Sequence, residues 1–319
     1  MAHLNLLDVA KLNGSDEVVG LIEEVITETP EIEIFPVRTI NGTSYKTSMR
    51  TSLPGVAFRN ANEGVSPGKS EFENGIAECF ILDGQIEGDK KVIDADERGV
   101  AHMLGLEASG IAKSTLLHIV SQLYYGAAND TKGFQGLKNF TAFGGEYTKD
   151  AGGTTAGTAS SVFGVRFGEQ DTTMIMGNNT TLTLGEWRTQ QLTDSADSTK
   201  KYTGYVNDLG GWIGLQMASK WSAGRICNLT ADSGKGLTED LIIDWLEMFP
   251  AAKQPSHIFM SKRSMTQLRK SMTAAITLKG TSLSGKTVTP AEAKAAVEES
   301  TGVTIVVSDS IVNTDAIES

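Results

Sequence analysis

Residues 44–59 read SYKTSMRTSLPGVAFR, and this stretch decides the fold prediction. Its first half alternates weakly and is rich in Ser and Thr, a pattern typical of strands that face water. Leu53-Pro54-Gly55 is a turn signal, and more turn signals follow at Asn62-Glu63-Gly64 and Pro67-Gly68. We therefore predict an extended β-hairpin over residues 36–75. It holds few large apolar residues, and because an isolated two-stranded ribbon is marginal in water, it needs a partner surface.

The 319 residues divide around this hairpin into further parts. Apolar residues within 1–35 predict an N-terminal arm with a short helix around 15–27, packed on its own domain or on a neighbouring subunit. After the hairpin we predict strands and a long helix over 76–132, a Gly-rich connection over 133–159, a block of strands over 160–230 and an α/β segment over 231–319. The fold class is α+β.

Helix signals refine this division. A long helix is predicted from about Asp94 to Gly126, because apolar residues from Ala112 to Leu123 share one face and Gly126 is a natural stop. The closing segment carries three N-cap signals, which are Thr238, Ser261 and a capping box at Thr289 with Pro290 at the first helical position. Short buried strands are predicted at His257–Met260 and over 303–307.

Charge and cysteine content exclude some classes of function. The net charge is −11, and we find no basic stripe of the kind that grips nucleic-acid phosphates. An acidic surface is compatible with a protein container that encloses nucleic acid without binding it. Cys79 and Cys227 have no CxxC spacing, which indicates two reduced thiols. No signal peptide is expected, because the first residues have no cationic region followed by a long apolar one. No membrane span is expected, because no apolar run approaches ~18 residues.

One motif suggests chemistry. Residues 280–287, GTSLSGKT, match the phosphate-loop pattern GxxxxGK[ST]. A working phosphate loop follows a buried strand and opens a helix at the lysine, so that backbone N–H groups face the phosphate. Here the preceding segment reads as helical and the next helix opens at Pro290. We therefore expect a loop rather than a nucleotide site, and nucleotide binding through Lys286 is kept as the alternative.

No other constellation supports an enzyme. The four histidines stand in no metal-binding spacing, and nothing places Cys227 beside His257 as a catalytic pair. The four tryptophans are better explained as core and interface anchors than as a ligand box. We expect no catalytic residues, no cofactor and no metal.

The order of these parts, together with several short segments, resembles the coat proteins of tailed bacteriophages. The segment from Gly42 to Val65 resembles the extended loop of the short-tailed-phage branch, and Gly133-Phe134-Gln135-Gly136-Leu137 is similar to the segment after that family's long helix. Further resemblances cover most of the rest of the chain, at 165–168, 212–215, 224–229, 258–261 and 302–309. In the family's best-known layout the long strand block follows the closing α/β segment, whereas here it precedes it.

The resemblance implies a Hong Kong-type capsid fold, which encapsulins and herpesvirus floor domains share. It implies an N-arm, an extended β-hairpin loop, a peripheral domain with a long spine helix, and an axial α/β domain. The expected function is a major capsid protein, with no enzymatic activity, that forms the hexamers and pentamers of an icosahedral shell around packaged dsDNA. An encapsulin-like compartment is the alternative.

The hairpin's charges are the candidate contacts with a neighbouring subunit. They are Lys46, Arg50, Arg59, Glu63 and Lys69. Exposed pairs of this kind set register more than they add affinity. The resemblance also implies portal, scaffolding and decoration proteins as partners, a virion location and assembly in the host cytoplasm. A Lys–Asn cross-link, found in some members, has no support here beyond the position of Lys46 and Lys69.

Overall fold

A computed structural model describes residues 28–139, 146–194, 197–278 and 289–318. The predicted arm up to residue 27, with its helix around 15–27, lies outside the described residues, and so does the stretch 280–287. The helices are α1 (Glu31–Ile34), α2 (Lys90–Ile93), α3 (Val100–Tyr125), α4 (Glu239–Glu247), α5 (Lys262–Leu278) and α6 (Pro290–Thr301). The strands are β1 (Val37–Thr39), β2 (Ser44–Ser52), β3 (Glu71–Glu78), β4 (Phe80–Asp89), β5 (Thr148–Asp150), β6 (Ser160–Val165), β7 (Thr172–Met176), β8 (Thr183–Leu184), β9 (Arg188–Thr193), β10 (Lys201–Met217), β11 (Ala223–Leu229), β12 (His257–Met260) and β13 (Thr304–Val307).

The predicted hairpin is present as an antiparallel pair of β2 and β3, with different borders. Its ladder runs from the pair Ser44–Glu78 to the pair Ser52–Glu71. Val37–Thr39 do not belong to it, because they form β1 and pair in parallel with β7 in another sheet. The ribbon therefore covers residues 44–78 rather than 36–75. Pairing between distant strands determines this border, and local alternation alone does not reveal it.

A six-stranded sheet carries the ribbon. Its order is β1-β7-β10-β4, and β8 and β9 also pair with β10. The 17-residue β10 is the common partner, and β4 pairs with it in antiparallel fashion from Phe80–Ile213 to Asp89–Gly204. Since β3 ends one residue before β4 begins, the ribbon is an extension of this sheet.

The long helix α3 begins at Val100 rather than at Asp94. Gly99 has φ +95°, a left-handed backbone conformation that separates the short helix α2 from α3. Asp96, expected inside the helix, instead lies 3.0 Å from the Nδ1 atom of His102. At the other end Gly126 stops the helix as predicted, and a Cβ there would lie 2.3 Å from the backbone nitrogen of Gly136. Only glycine allows the two segments to approach so closely.

A five-stranded sheet forms the best-buried part of the molecule. Its order is β13-β12-β6-β11-β5. Every residue of β6 and β11 is buried. Trp245 of α4 is fully buried beside Phe249, and its Nε1 donates to the carbonyl oxygen of Tyr147 at 2.9 Å. This sheet takes strands from both sides of the predicted border at 230, so the strand block and the closing α/β segment share one sheet and one core.

The helix starts in the closing segment are as predicted. Thr238 accepts a hydrogen bond from the Leu241 amide, Thr289 and Glu292 form a reciprocal capping box, and Ser261 accepts from the Ser264 amide. Because α5 runs to Leu278, the chain enters the 280–287 stretch from a helix, not from the strand that a phosphate loop requires. None of the helices described is both long and apolar enough to cross a membrane.

Candidate inter-subunit surfaces

The ribbon has two different faces. Tyr45, Thr47 and Met49 of β2 are half-buried, and together with Gly75 and Ala77 opposite them they turn toward the body. The alternate residues point outward, and there the apolar side chains of Phe72 and Ile76 are 64% and 61% exposed. Strand alternation explains the difference, since successive side chains leave a strand on opposite sides.

The root of the ribbon is anchored in the body. Ala77 and Cys79 pack with Ile40 and Ile175 in a small buried cluster, against which Tyr45 and Trp212 also pack. The amide of Cys79 donates to the carbonyl oxygen of Thr43 at 2.8 Å, so the ladder continues to the edge of the six-stranded sheet. The direction of the ribbon is therefore set by the sheet.

The tip of the ribbon, residues 53–69, has no buried residue and no strand pairing. Val56 is 94% exposed and Phe58 is completely exposed. The two sides of the tip stay close, because a Cβ on Gly68 would lie 2.8 Å from the Gly55 nitrogen. Leaving a Phe in water forgoes about 1.5–3 kcal/mol of burial free energy. The tip thus presents an apolar surface that the described residues of its own subunit leave uncovered.

The five predicted contact residues all lie on this ribbon and all are exposed. Two of them meet each other, because the Arg59 guanidinium donates to the Glu63 carbonyl oxygen at 2.7 Å. The Glu63 carboxylate accepts from the backbone and side-chain nitrogens of Asn60 at 3.2 Å. Arg50 lies over the Phe72 ring, with 5.4 Å from its Cζ to the ring centroid. Lys46 and Lys69 lie elsewhere on the ribbon, so the five do not form one cluster.

Sequence reasoning missed the apolar residues Phe72, Ile76 and Ile81. Ile81 of β4 is 68% exposed. The segment 76–82 looks uniformly apolar, which conceals the fact that its alternate residues face opposite sides. The available signal was the period of two, which would have separated the buried Ala77 and Cys79 from Phe72 and Ile76. It would not have found Ile81, which falls on the side of the buried pair and is nevertheless exposed.

The two cysteines and His257 lie in surroundings that disfavour their charged forms. Burial raises the pKa of the Cys79 and Cys227 thiols, which disfavours the reactive thiolate. Burial lowers the pKa of His257. Cys227 and His257 lie on β11 and β12, which flank β6 on opposite sides, so they are not partners. No group of three His, Cys, Asp or Glu in the described part of the chain could hold a metal ion.

A buried polar pair fixes the segment before the ribbon. Glu31 is buried, and its Oε1 accepts from the hydroxyl of Tyr124 at 2.7 Å. Burial and the nearby Glu31 carboxylate raise the pKa of Tyr124 well above its ordinary value, so the phenol stays protonated and donates. The first turn of the described chain is thereby tied to helix α3.

A comparison with known protein families identifies the family of this chain. A family model described as major capsid protein GP7 matches residues 14–317. The chain belongs to this family. It is a structural protein of the bacteriophage capsid, and the Hong Kong-type capsid fold predicted from the sequence is confirmed. A search of the curated proteins found no match.

Solved structures agree with the family. A chain from the structure of bacteriophage Epsilon15 is 18% identical with a TM-score of 0.69, and the match covers 99% of this chain and 97% of that one. The capsid of the Myoviridae phage XM1 gives 12% identity and a TM-score of 0.50, over 69% of this chain and 98% of that one. The SrpI encapsulin of Synechococcus elongatus gives 8% identity and a TM-score of 0.44 over 72% of this chain and 97% of that one.

Proposed function

We propose that copies of this GP7-family capsid protein assemble into the hexamers and pentamers of an icosahedral shell, and that the ribbon of each copy lies across its neighbour. The exposure of the tip is the main support for this proposal. The tip exposes Val56 and Phe58 almost fully, at the end of a ribbon that has no core of its own. Covering them with a second copy would recover burial free energy that the isolated subunit cannot gain.

The ribbon's charges have a secondary role in this proposal. Lys46, Arg50, Arg59, Glu63 and Lys69 are exposed in the subunit, and exposed ion pairs contribute roughly 0–1 kcal/mol each. Their contribution would be register and choice of neighbour, because like charges placed opposite each other are costly. Many such weak heterologous contacts, repeated around closed rings, would stabilise a shell.

The shell would enclose packaged dsDNA without sequence-specific binding. The net charge of −11 supports this, because counterion release from DNA phosphates requires clustered Lys and Arg. The same role implies assembly in the host cytoplasm, with portal, scaffolding and decoration proteins as partners.

We also propose a revised division into domains. The five-stranded sheet with α4, α5 and α6 would form the axial domain, and the six-stranded sheet with α3 and the ribbon would form the peripheral domain. The division is supported by the sheet order, in which β6 and β11 pair with β12 and β5 rather than with β10.

Electron microscopy tests the assembly proposal. Purified wild-type protein should form capsomer rings or shells in negative stain. A variant in which residues 53–69 are replaced by a short Gly-Ser turn should keep the circular dichroism of the wild type and stay unassembled. Shells formed equally well by both proteins would refute the role of the tip.

Nucleotide binding is tested separately. We expect no saturable binding when ATP is titrated against the protein, and the same result for Lys286→Ala. Saturable binding that the substitution abolishes would revive the alternative.

A further inference from the structure

The dipeptide Asn-Gly occurs at two places among the described residues, in two different backbone environments. Asn41-Gly42 lies in the bend between β1 and β2, and Asn74-Gly75 lies inside β3. In this dipeptide the backbone nitrogen of glycine can attack the asparagine side chain with little hindrance, because glycine has no Cβ. The product of the attack is a five-membered succinimide ring. The two dipeptides are chemically alike, so their surroundings decide which of them reacts.

The backbone N–H of Gly42 is free to react. Among the described residues it donates no hydrogen bond. The bend is held beside it, because the amides of Asn178 and Asn179 donate to the carbonyl oxygens of Gly42 and Ile40, each at 2.9 Å. Asn41 is exposed, and a Cβ on Gly42 would meet no described atom within 4 Å. Both the attacking nitrogen and the side chain that it attacks are therefore accessible.

The backbone N–H of Gly75 is used by the strand ladder. The Cys79 amide donates to the carbonyl oxygen of Thr43 at 2.8 Å, and hydrogen-bonded pairs recur at every second residue of an antiparallel ladder. Gly75 and Thr47 are therefore such a pair. The Asn74 side chain is also engaged, since its Oδ1 accepts a hydrogen bond from a serine hydroxyl of β2 at 3.0 Å. The ladder must open locally before Asn74 can react.

We propose that Asn41 is a site of spontaneous deamidation in the native subunit, and that the ladder protects Asn74. The Gly42 nitrogen bonds to the Asn41 Cγ, the bond from Cγ to the side-chain nitrogen breaks, and that nitrogen leaves as ammonia with the proton of the Gly42 amide. Solvent water then opens the ring, its hydroxyl adding to one of the two carbonyl carbons and its proton returning to nitrogen. The product is aspartate or isoaspartate, and nothing is oxidised or reduced.

The reaction would change the root of the ribbon in two ways. Either product places a carboxylate in the bend that joins β1 to β2, and isoaspartate also adds one methylene to the main chain. The bend has fixed contacts on both sides, because the carbonyl oxygens of Gly42 and Thr43 accept from the amides of Asn178 and Cys79. A longer bend would shift the ribbon relative to the six-stranded sheet. Aged subunits would therefore assemble less well than fresh ones, a consequence that rests on the proposed function.

Peptide mapping of wild-type protein tests the site. Unassembled subunits are kept in mildly alkaline buffer, and samples taken over time are digested and analysed by mass spectrometry, with enzymatic methylation to identify isoaspartate. In native protein Asn41 should deamidate at least about tenfold faster than Asn74, because reaction at Asn74 requires opening of the ladder. In denaturant the two residues should react at similar rates.

The same experiment contains the results that would contradict the proposal. Equal rates at the two residues in native protein, or faster reaction at Asn74, would overturn it. A difference that persists in denaturant would overturn it as well, because neighbouring residues and not the fold would then set the rates. Asn41→Gln is the matched variant, since glutamine would have to form a six-membered ring. It should abolish the reaction at position 41 and leave the rate at Asn74 unchanged.

Negative-stain microscopy of fresh and aged subunits tests the consequence for assembly. Aged wild-type subunits should lose rings and shells in proportion to their deamidated fraction, whereas aged Asn41→Gln subunits should assemble like fresh ones. Equal assembly by fresh and deamidated wild-type subunits would overturn the effect on the ribbon. Fresh wild-type protein that forms neither rings nor shells would overturn the proposed function, while peptide mapping of the unassembled subunits would still decide the deamidation site.

Discussion

The ribbon β2–β3 and the strand pair β6–β11 are both antiparallel pairs in one chain, yet their surroundings are opposite. Every residue of β6 and β11 is buried, while the outward face of the ribbon exposes Phe72 and Ile76 and its tip exposes Phe58. The hydrogen-bonding pattern is the same, so the difference lies in what covers the side chains. The inner pair is stabilised within the subunit, and the ribbon is expected to be stabilised between subunits.

The largest expected effect is on the inner region. Trp245→Ala removes a fully buried side chain and should lower the free energy of unfolding by about 3–5 kcal/mol, measured by urea denaturation of the unassembled subunit. Ile243→Ala on the same helix is the control and should change it by less than about 0.5 kcal/mol, because Ile243 is half-exposed. Equal losses of unfolding free energy in the two variants would show that burial does not distinguish Trp245 from Ile243.

Phe58→Ala should weaken assembly without lowering the stability of the subunit. The free energy of unfolding of the subunit should be unchanged, because the side chain is fully exposed among the described residues. Each contact between copies should weaken by about 1.5–3 kcal/mol, which raises the protein concentration needed for assembly. Size-exclusion chromatography over a dilution series measures this. A destabilised subunit with normal assembly would mean that the tip is part of the subunit's own core.

Lys46→Ala tests the ribbon's charges with a smaller expected effect. Assembly should weaken by no more than about 1 kcal/mol, and the difference from wild type should shrink at high salt because exposed pairs are screened. Lys201→Ala, an exposed lysine on β10, is the control. A loss for Lys46→Ala that salt leaves unchanged would indicate a buried contact instead.

The smallest expected effect is the reactivity of two buried thiols, one in each region. Cys79 lies at the ribbon's root and Cys227 lies in β11, and burial raises the pKa of both thiols. Neither should react quickly with a maleimide in native protein, and both should react in denaturant. Single Cys79→Ser and Cys227→Ser variants assign the signal. Fast native reaction of Cys79 alone would show that the root opens locally and that the ribbon's direction is not fixed.

Local features were predictable from the sequence. The caps at Thr238 and Thr289 and the stop at Gly126 depend on the chemistry of neighbouring residues, and the structure has each of them. The structure has no turn at Leu53-Pro54-Gly55, and the turn of the tip lies at 60–63, where the Glu63 amide donates to the Asn60 carbonyl oxygen. Long-range pairing was not predictable. No local pattern shows that Val37–Thr39 pair with β7, or that strands on both sides of residue 230 share a sheet.

The site was predicted less completely than the fold. Charged residues drew attention to the ribbon, since charge is visible without knowing which way a side chain points. The exposure of Phe72 and Ile76 on one face and of Ile81 on the other became visible only when the strand pairing fixed the direction of each side chain.

The passage from β3 into β4 through the single residue Cys79 has a mechanical consequence. From Glu71 to Asp89 the backbone forms one nearly continuous extended segment of about 60 Å, paired with β10 along β4 and with β2 along β3. A load applied at the free end is transmitted directly to β10, and through it to the strands and to helix α3. In a closed shell, a force that a neighbouring subunit exerts on the ribbon would therefore twist the six-stranded sheet.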